Sequence, residues 1–232
     1  MITSLAKTVL IPIHRAGWPF IAIFAAVALV LLTQSTFLGV AGLVATAWCV
    51  YFFRDPDRMT PVRHGLIVSA ADGLVSSVDA AVPPEGLGLP GLPLTRISVF
   101  LNIFDVHINR MPADGTVAAI RYRPGKFLNA ALDKASDDNE RNALHIVTDD
   151  GRSMVVVQIA GLIARRISSW VDQGARVSAG QRFGLIRFGS RVDVYLPDGV
   201  MPLVAVGQRC IAGETVIADL RAQEPARQAE HR

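Results

Sequence analysis

The sequence predicts a mainly β protein: an antiparallel β-sandwich or flattened barrel with a lipoyl-like carboxyl-terminal part, preceded by an N-terminal hydrophobic helical hairpin. Three observations predict it. From Ala16 through Phe53 the chain carries no Asp, Glu, Lys or Arg. Beyond that run, Val, Ile and Thr crowd into short stretches, residues that suit a pleated, half-buried surface. Asp-Gly, Pro-Gly and Pro-Asp-Gly separate those stretches, which is the chemistry of tight turns.

The apolar run comes first. As one helix its roughly 38 residues would extend about 57 Å, far beyond a bilayer core of about 30 Å, so it must break. The break is placed at Thr33 to Thr36, between "WPFIAIFAAVALVLL" and "FLGVAGLVATAWCVYFF". Lys7 and Arg15 precede the first segment, and Arg54, Arg58 and Arg63 follow the second. By the positive-inside tendency both ends face the cytoplasm, with Trp18, Trp48 and Tyr51 near the interfaces. The run is too long, and doubled, for a cleaved signal peptide. Residues 1–53 are therefore expected to form a membrane-associated hairpin and residues 54–232 a β-rich domain on the cytoplasmic side of the cell membrane.

In the second part, "GLIVSAADGLVSSVDAAV", "LTRISVFLN", "GTVAAIRYRPG", "NALHIVTDDGRSMVVVQIAG", "QRFGLIRFG" and "RVDVYLP" read as successive strands. "KFLNAALDKASDDNERN" supplies one or two helical turns and then a loop. "VDQGARVSAGQRFGLI" has the closely spaced glycines of a lipoyl-like fold. No dinucleotide fingerprint, phosphate-binding loop or low-complexity tract is present. A net charge of +3 suits an anionic membrane surface, and without interleaved aromatics it does not point to nucleic acid. Cys49 and Cys210 form no metal or disulfide pattern.

Three clusters could carry chemistry. Asp72 lies in "SAADG", which alone is a turn signal. "FLNIFDVHINRMP" carries Asp105, His107 and Arg110, with Asp105 and His107 expected to share a strand face. The third is "LIRFGSRVDVYLPDG", Leu185 to Gly199, a strand interrupted by Gly189-Ser190. Glycine there marks a β-bulge, or a place where the serine hydroxyl can attack the preceding carbonyl carbon because glycine lets that peptide adopt an unusual geometry. On the residues alone, a non-catalytic membrane-tethered lipoyl-like adaptor and a metallohydrolase using Asp72, Asp105 and His107 stay open. His14, His64, His145 and His231 have no companion motif and read as structural or exposed; Glu140 and Arg141 read as an ion-paired turn.

Taken in order, "ADG", "FLNIFDVHINRMP", "DDNERN" and "FGS" followed by "RVDVYLP" resemble phosphatidylserine decarboxylase proenzymes, in particular their short membrane-associated form, over roughly Arg54 to Leu220. The resemblance implies a self-processing enzyme. Ser190 would break the Gly189-Ser190 bond through an N-to-O acyl shift and β-elimination, leaving a β chain 1–189 and an α chain 190–232 whose first residue becomes a covalent pyruvoyl group. That group is the implied cofactor, the electron sink that pyridoxal phosphate supplies elsewhere, with no metal. It would form a Schiff base with the serine amine of membrane phosphatidylserine, release carbon dioxide and leave phosphatidylethanolamine. The implied partners are that lipid and the two chains of one precursor, with a homo-oligomer of the processed pair possible.

The resemblance also implies roles. Ser190 is nucleophile and cofactor precursor; Asp72 and His107 join it in a processing relay, and His107 is the proton donor to Cα. Where the longer bacterial form has a second histidine before Met-Pro, this chain has Arg110, whose guanidinium cannot shuttle protons at neutral pH and is expected to contact the substrate phosphate or carboxylate. Phe188 stands where the longer form has leucine.

Overall fold

A computed structural model describes residues 11–125, 139–161, 166–187 and 189–230. The chain divides into two units, Met1–Asp57 and Arg58–Arg232. The expected helical turns after Gly125, and Phe188, lie outside the described residues.

The first unit is a helical hairpin. A 3-10 turn at Arg15–Gly17, capped by His14 Nδ1 accepting from the Ala16 amide at 3.2 Å, leads into α1 (Trp18–Gln34), with Pro19 in its first turn. Ser35, in extended conformation, separates α1 from α2 (Thr36–Phe52). The break thus falls within Thr33–Thr36. Small residues permit the close crossing: a Cβ on Gly42 would come within 2.8 Å of the Ala28 Cβ. The hairpin's ends are tied together, with the His14 amide donating to Phe53 O at 2.8 Å and the Asp55 amide to Pro12 O at 2.7 Å. Phe20 stacks on Phe53. The stretch Arg15–Gln34 has a mean hydropathy of 2.2 and is long and apolar enough to cross a membrane; α2 is shorter. Both helices expose large apolar side chains, among them Ile23, Val30, Phe37 and Val44.

The second unit is mainly β. Its strands are β1 (Leu66–Val68), β2 (Gly73–Ala81), β3 (Leu94–Leu101), β4 (Ile108–Arg110), β5 (Gly115–Arg123), β6 (Arg141–Thr148), β7 (Ser153–Ala160), β8 (Ile167–Ser169), β9 (Arg176–Val177), β10 (Arg182–Ile186), β11 (Ser190–Tyr195), β12 (Arg209–Cys210) and β13 (Val216–Asp219). Eight form one curled antiparallel sheet, a half-barrel in the order β12-β2-β3-β11-β7-β6-β5-β9. β4-β10-β8 form a three-stranded sheet and β1-β13 a pair.

The sheet's inner face buries Val75, Ile97, Val99, Leu144, Val156, Val192 and Val194 in one core with Phe183 of β10 and Ile217 of β13. On the outer face Leu87, from the loop after β2, covers a smaller cluster of Ala143, Val155, Val157, Ile159 and Tyr195. β11 is buried on both faces along its whole length, as expected of a central strand. It lies between β3 and β7 and thereby joins the β2-β3 hairpin to the β5-β6-β7 meander.

Candidate active site

The Gly189-Ser190 bond opens β11. Gly189 has φ +65°, and among the described residues, its chain neighbours aside, no atom lies within 4 Å of where its Cβ would stand. Glycine suits this left-handed backbone. Ser190 follows at once in the ladder, paired with Leu101 of β3 and Ala160 of β7. Its side chain is on the inner face with Val192 and Val194, fully buried, and its Oγ has no hydrogen-bond partner among the described residues. A buried hydroxyl left in that state costs about 1–3 kcal/mol.

The same register brings His107 to this end of the sheet. Immediately after Leu101, Asn102 and Asp105 close a turn: the Asn102 amide donates to Asp105 Oδ2 at 2.9 Å, the Phe104 amide to Asn102 Oδ1 at 2.8 Å and the Asp105 amide to Asn102 O at 3.0 Å. Arg209 of β12 grips Asp105 Oδ1 from the other side. Asp105 and His107 consequently do not share a strand face, since the clasp holds the backbone in a turn and β4 begins only at Ile108. His107 is fully buried, and its carbonyl accepts from the Ile186 amide at 3.4 Å. Its Nδ1 lies 2.9 Å from Asp105 O. A carbonyl can only accept, so Nδ1 carries the hydrogen and Nε2 is the basic nitrogen of the neutral ring.

Asp72 sits in the turn between β1 and β2. Arg58 donates to its Oδ2 at 2.6 Å and the Ala212 amide to its Oδ1 at 2.8 Å. Burial pushes its carboxyl above the ordinary value and Asp105 adds to the rise, while Arg58 and the Ala212 amide oppose it. The following Gly73 is required by contact: a Cβ there would stand 2.1 Å from Phe100 O, one residue before the partner of Ser190. Arg110 is 6% exposed, and its Nη1 donates to Gly180 O at 2.8 Å. Its backbone amide binds Ala70 O at 2.9 Å, two residues from Asp72.

Sequence reasoning missed three features. Arg58 and Arg209 hold the two carboxylates, yet they lie in a linker and a short edge strand with no motif around them. A buried amide chain crosses the inner face: Asn142 Nδ2 donates to Gln158 Oε1 at 3.1 Å, and Gln158 Nε2 to Asn109 Oδ1 at 2.7 Å. Gln158 pairs with Val192, two residues along from Ser190; an Asn inside "HINRMP" was the available signal. Glu140, expected in an ion-paired turn, is buried and accepts from Tyr122 Oη at 2.8 Å and the Ile167 amide at 3.2 Å. His145 is structural, bridging Leu87 O and Ser153 Oγ.

A buried hydroxyl next to a left-handed glycine carbonyl suits an intramolecular acyl transfer, and the buried His107 imidazole lies on the segment that follows β3, the strand paired with Ser190. A family model described as phosphatidylserine decarboxylase matches residues 45–218. The chain is 58% identical over 229 residues to a phosphatidylserine decarboxylase proenzyme of Paramagnetospirillum magneticum, covering 99% of this chain and 95% of that one. It is likewise 58% identical to proenzymes of that name from Cereibacter sphaeroides, covering 98% of each chain, and from Ruegeria pomeroyi, covering 94% of this chain and 100% of the relative. The chain therefore belongs to the phosphatidylserine decarboxylase family.

Proposed function

We propose that this protein is made as a precursor, cuts itself between Gly189 and Ser190, and then decarboxylates phosphatidylserine to phosphatidylethanolamine at the surface of the membrane that its hairpin enters. The observation that carries the reading is the left-handed Gly189 beside the buried Ser190 hydroxyl, at the head of the central strand.

In processing, His107 Nε2 takes the proton as Ser190 Oγ bonds to the Gly189 carbonyl carbon. The C–N bond breaks and the nitrogen is protonated, giving an ester. Removal of the Ser190 Cα proton then expels the Gly189 carboxylate and leaves a dehydroalanine, whose hydrolysis releases ammonia. Asp72, held by Arg58, supplies negative charge for the imidazolium that forms. The residues fit the pyruvoyl group that would result, because Ser190 stands buried at the head of the central strand, where the ladder to β3 and β7 would hold the new terminus. When formed, that group would supply the electron sink for loss of carbon dioxide.

For the lipid reaction, His107 would return a proton to Cα. Arg110 as headgroup contact carries less support: its burial and its bond to Gly180 O favour a clamp that fixes β4, the strand carrying the His107 end of the site. The uncharged hairpin and the basic residues at its ends support a cytoplasmic-side location, and a tethered domain meets a headgroup presented only at that surface. Intact mass spectrometry under denaturing conditions tests the reading. A small chain running from residue 190 to 232 with a blocked amino terminus, together with phosphatidylethanolamine formed from added phosphatidylserine, is expected; an uncut active protein would refute it.

A further inference from the structure

The second unit opens with Arg58, Met59 and Thr60, which follow the hairpin directly in the chain and pack onto the candidate site as a strap. Three contacts fasten it. Arg58 Nη2 donates to Asp72 Oδ2 at 2.6 Å, with both side chains largely buried. The Met59 amide donates to Glu214 Oε1 at 2.9 Å. Thr60 lies between two turns: a Cβ on Gly180 would stand 2.0 Å from its Oγ1, and one on Gly213 3.4 Å from it. Both turns belong to the site. Gly180 O accepts from Arg110, and Ala212, the neighbour of Gly213, donates its amide to the other oxygen of Asp72.

Arg58 is poorly explained as a stabilising bridge. Its Nε is buried and, among the described residues, has no hydrogen-bond partner. Taking two charges out of water costs about what their attraction returns. What a guanidinium in contact with a carboxyl does change is how readily that carboxyl ionises. Burial, the largest cause, pushes Asp72 above its ordinary value, and Asp105 adds to the rise; Arg58 is foremost among the groups that oppose it, ahead of the Ala212 amide. The other groups facing Asp72 leave that task to Arg58: Asp105 is a like charge gripped by Arg209, and the Cys210 thiol, pushed up to about 11 by burial, is neutral at physiological pH. Arg110 lies on the far side of Gly213, its Cδ 2.9 Å from where a Cβ there would stand.

We propose that Arg58 is a positioning residue for self-cleavage: it holds Asp72 as a carboxylate facing the site, so that cleavage at Gly189-Ser190 depends on docking of the segment that leaves the hairpin. The inference rests on the self-processing reading above and on the part given there to Asp72. The strap thus makes the linker of the hairpin a working piece of the site.

The pH profile of cleavage in the full chain tests it. Precursor made by cell-free translation into detergent micelles is moved to buffers from mildly acid to mildly alkaline, and the fraction cut with time is read by intact mass. Without the guanidinium the proton on Asp72 is harder to remove, so the acid limb of the profile moves to higher pH. A neighbouring arginine lowers a carboxyl by about 1–3 units; Arg58→Gln should therefore shift the limb upward by about one unit or more, slowing cleavage about tenfold on the acid side and restoring the parental rate on the alkaline side. Arg58→Lys keeps the charge and should shift it less. Slower cleavage by Arg58→Gln with an unmoved limb would overturn the proposal and leave Arg58 a merely structural residue. Parental cleavage at every pH, or an equal shift with Lys, would also overturn it. If Arg58→Gln stays uncut throughout, Arg58→Lys decides: cleavage with a limb near the parental one supports the charge role, and no cleavage overturns it. A parental chain that stays uncut would instead refute the self-processing reading, and this inference with it.

Discussion

Replacing Gly189 isolates one term of the self-processing chemistry. At φ +65°, with no atom of the described residues within 4 Å of the missing Cβ, chain neighbours aside, the effect of Gly189→Ala is argued from backbone preference. The left-handed conformation costs a non-glycine residue about 1–2 kcal/mol. If attack by Ser190 needs that conformation, the same free energy adds to the barrier, and the rate falls about 5- to 30-fold. Asn, which tolerates this region, should lose less than Ala, and Val, branched at Cβ, should lose more. The order of cleavage rates is thus Gly, Asn, Ala, Val, measured as the fraction of newly synthesised precursor converted with time by intact mass. Cleavage of Gly189→Ala at the parental rate, or of Asn more slowly than Ala, would refute the reasoning.

Other perturbations follow from the surrounding structure. Gln158→Leu cuts the buried chain between Asn142 and Asn109 and should cost about 2–4 kcal/mol, lowering Tm by about 4–16 °C; an unchanged melting curve would show that the chain contributes nothing. The Asp72 carboxyl is raised by burial, so the folded chain holds its proton more tightly than the unfolded chain does. Its stabilising contribution is full below the unfolded value near 3.8 and is lost as pH rises through the higher folded value. Asp72→Asn should remove that decline, and denaturation midpoints that fall equally with pH in both proteins would contradict the assignment. The Cys210 thiol is pushed up to about 11 by burial, with Asp72 adding to the rise. It should resist a thiol reagent at pH 8 in the folded chain and react on denaturation; rapid labelling of the native protein would refute its enclosure.

The features legible in the sequence were those with local causes. The hairpin was readable because an uncharged run too long for one span must break, and Ser35 lies where polar residues interrupt it. The strands announced themselves through β-branched runs and Asp-Gly turns. The Gly-Ser step was visible because Gly189 needs a conformation that other residues avoid. What stayed hidden depends on pairing across long separations. That β11 would enter between β3 and β7 follows from registers such as Ser190 with Leu101 and Ala160, which no local pattern encodes. The same is true of Arg209 reaching Asp105 and of Arg58 reaching Asp72. Asp105 illustrates the converse error: alternation suggested a strand, but its carboxylate competes for the Asn102 amide and makes a turn.

The position of the proposed cleavage at Gly189-Ser190 would let a chain be cut at its central strand and remain one body. β11 is held by six register pairs to β3 and six to β7, all of them downstream of the bond. Breaking it therefore removes no ladder partner. Val192 and Val194, fully buried, keep the new terminus in the core, each worth about 1.5–3 kcal/mol of burial. Arg191 and Asp193 fix the other face, joined to β3 through Arg96. A bond one strand pair further in would have taken ladder contacts with it. At the first residue of the strand, the proposed cleavage would act on a peptide that contributes no pair to either ladder, and the new terminus would stay fixed at the head of β11.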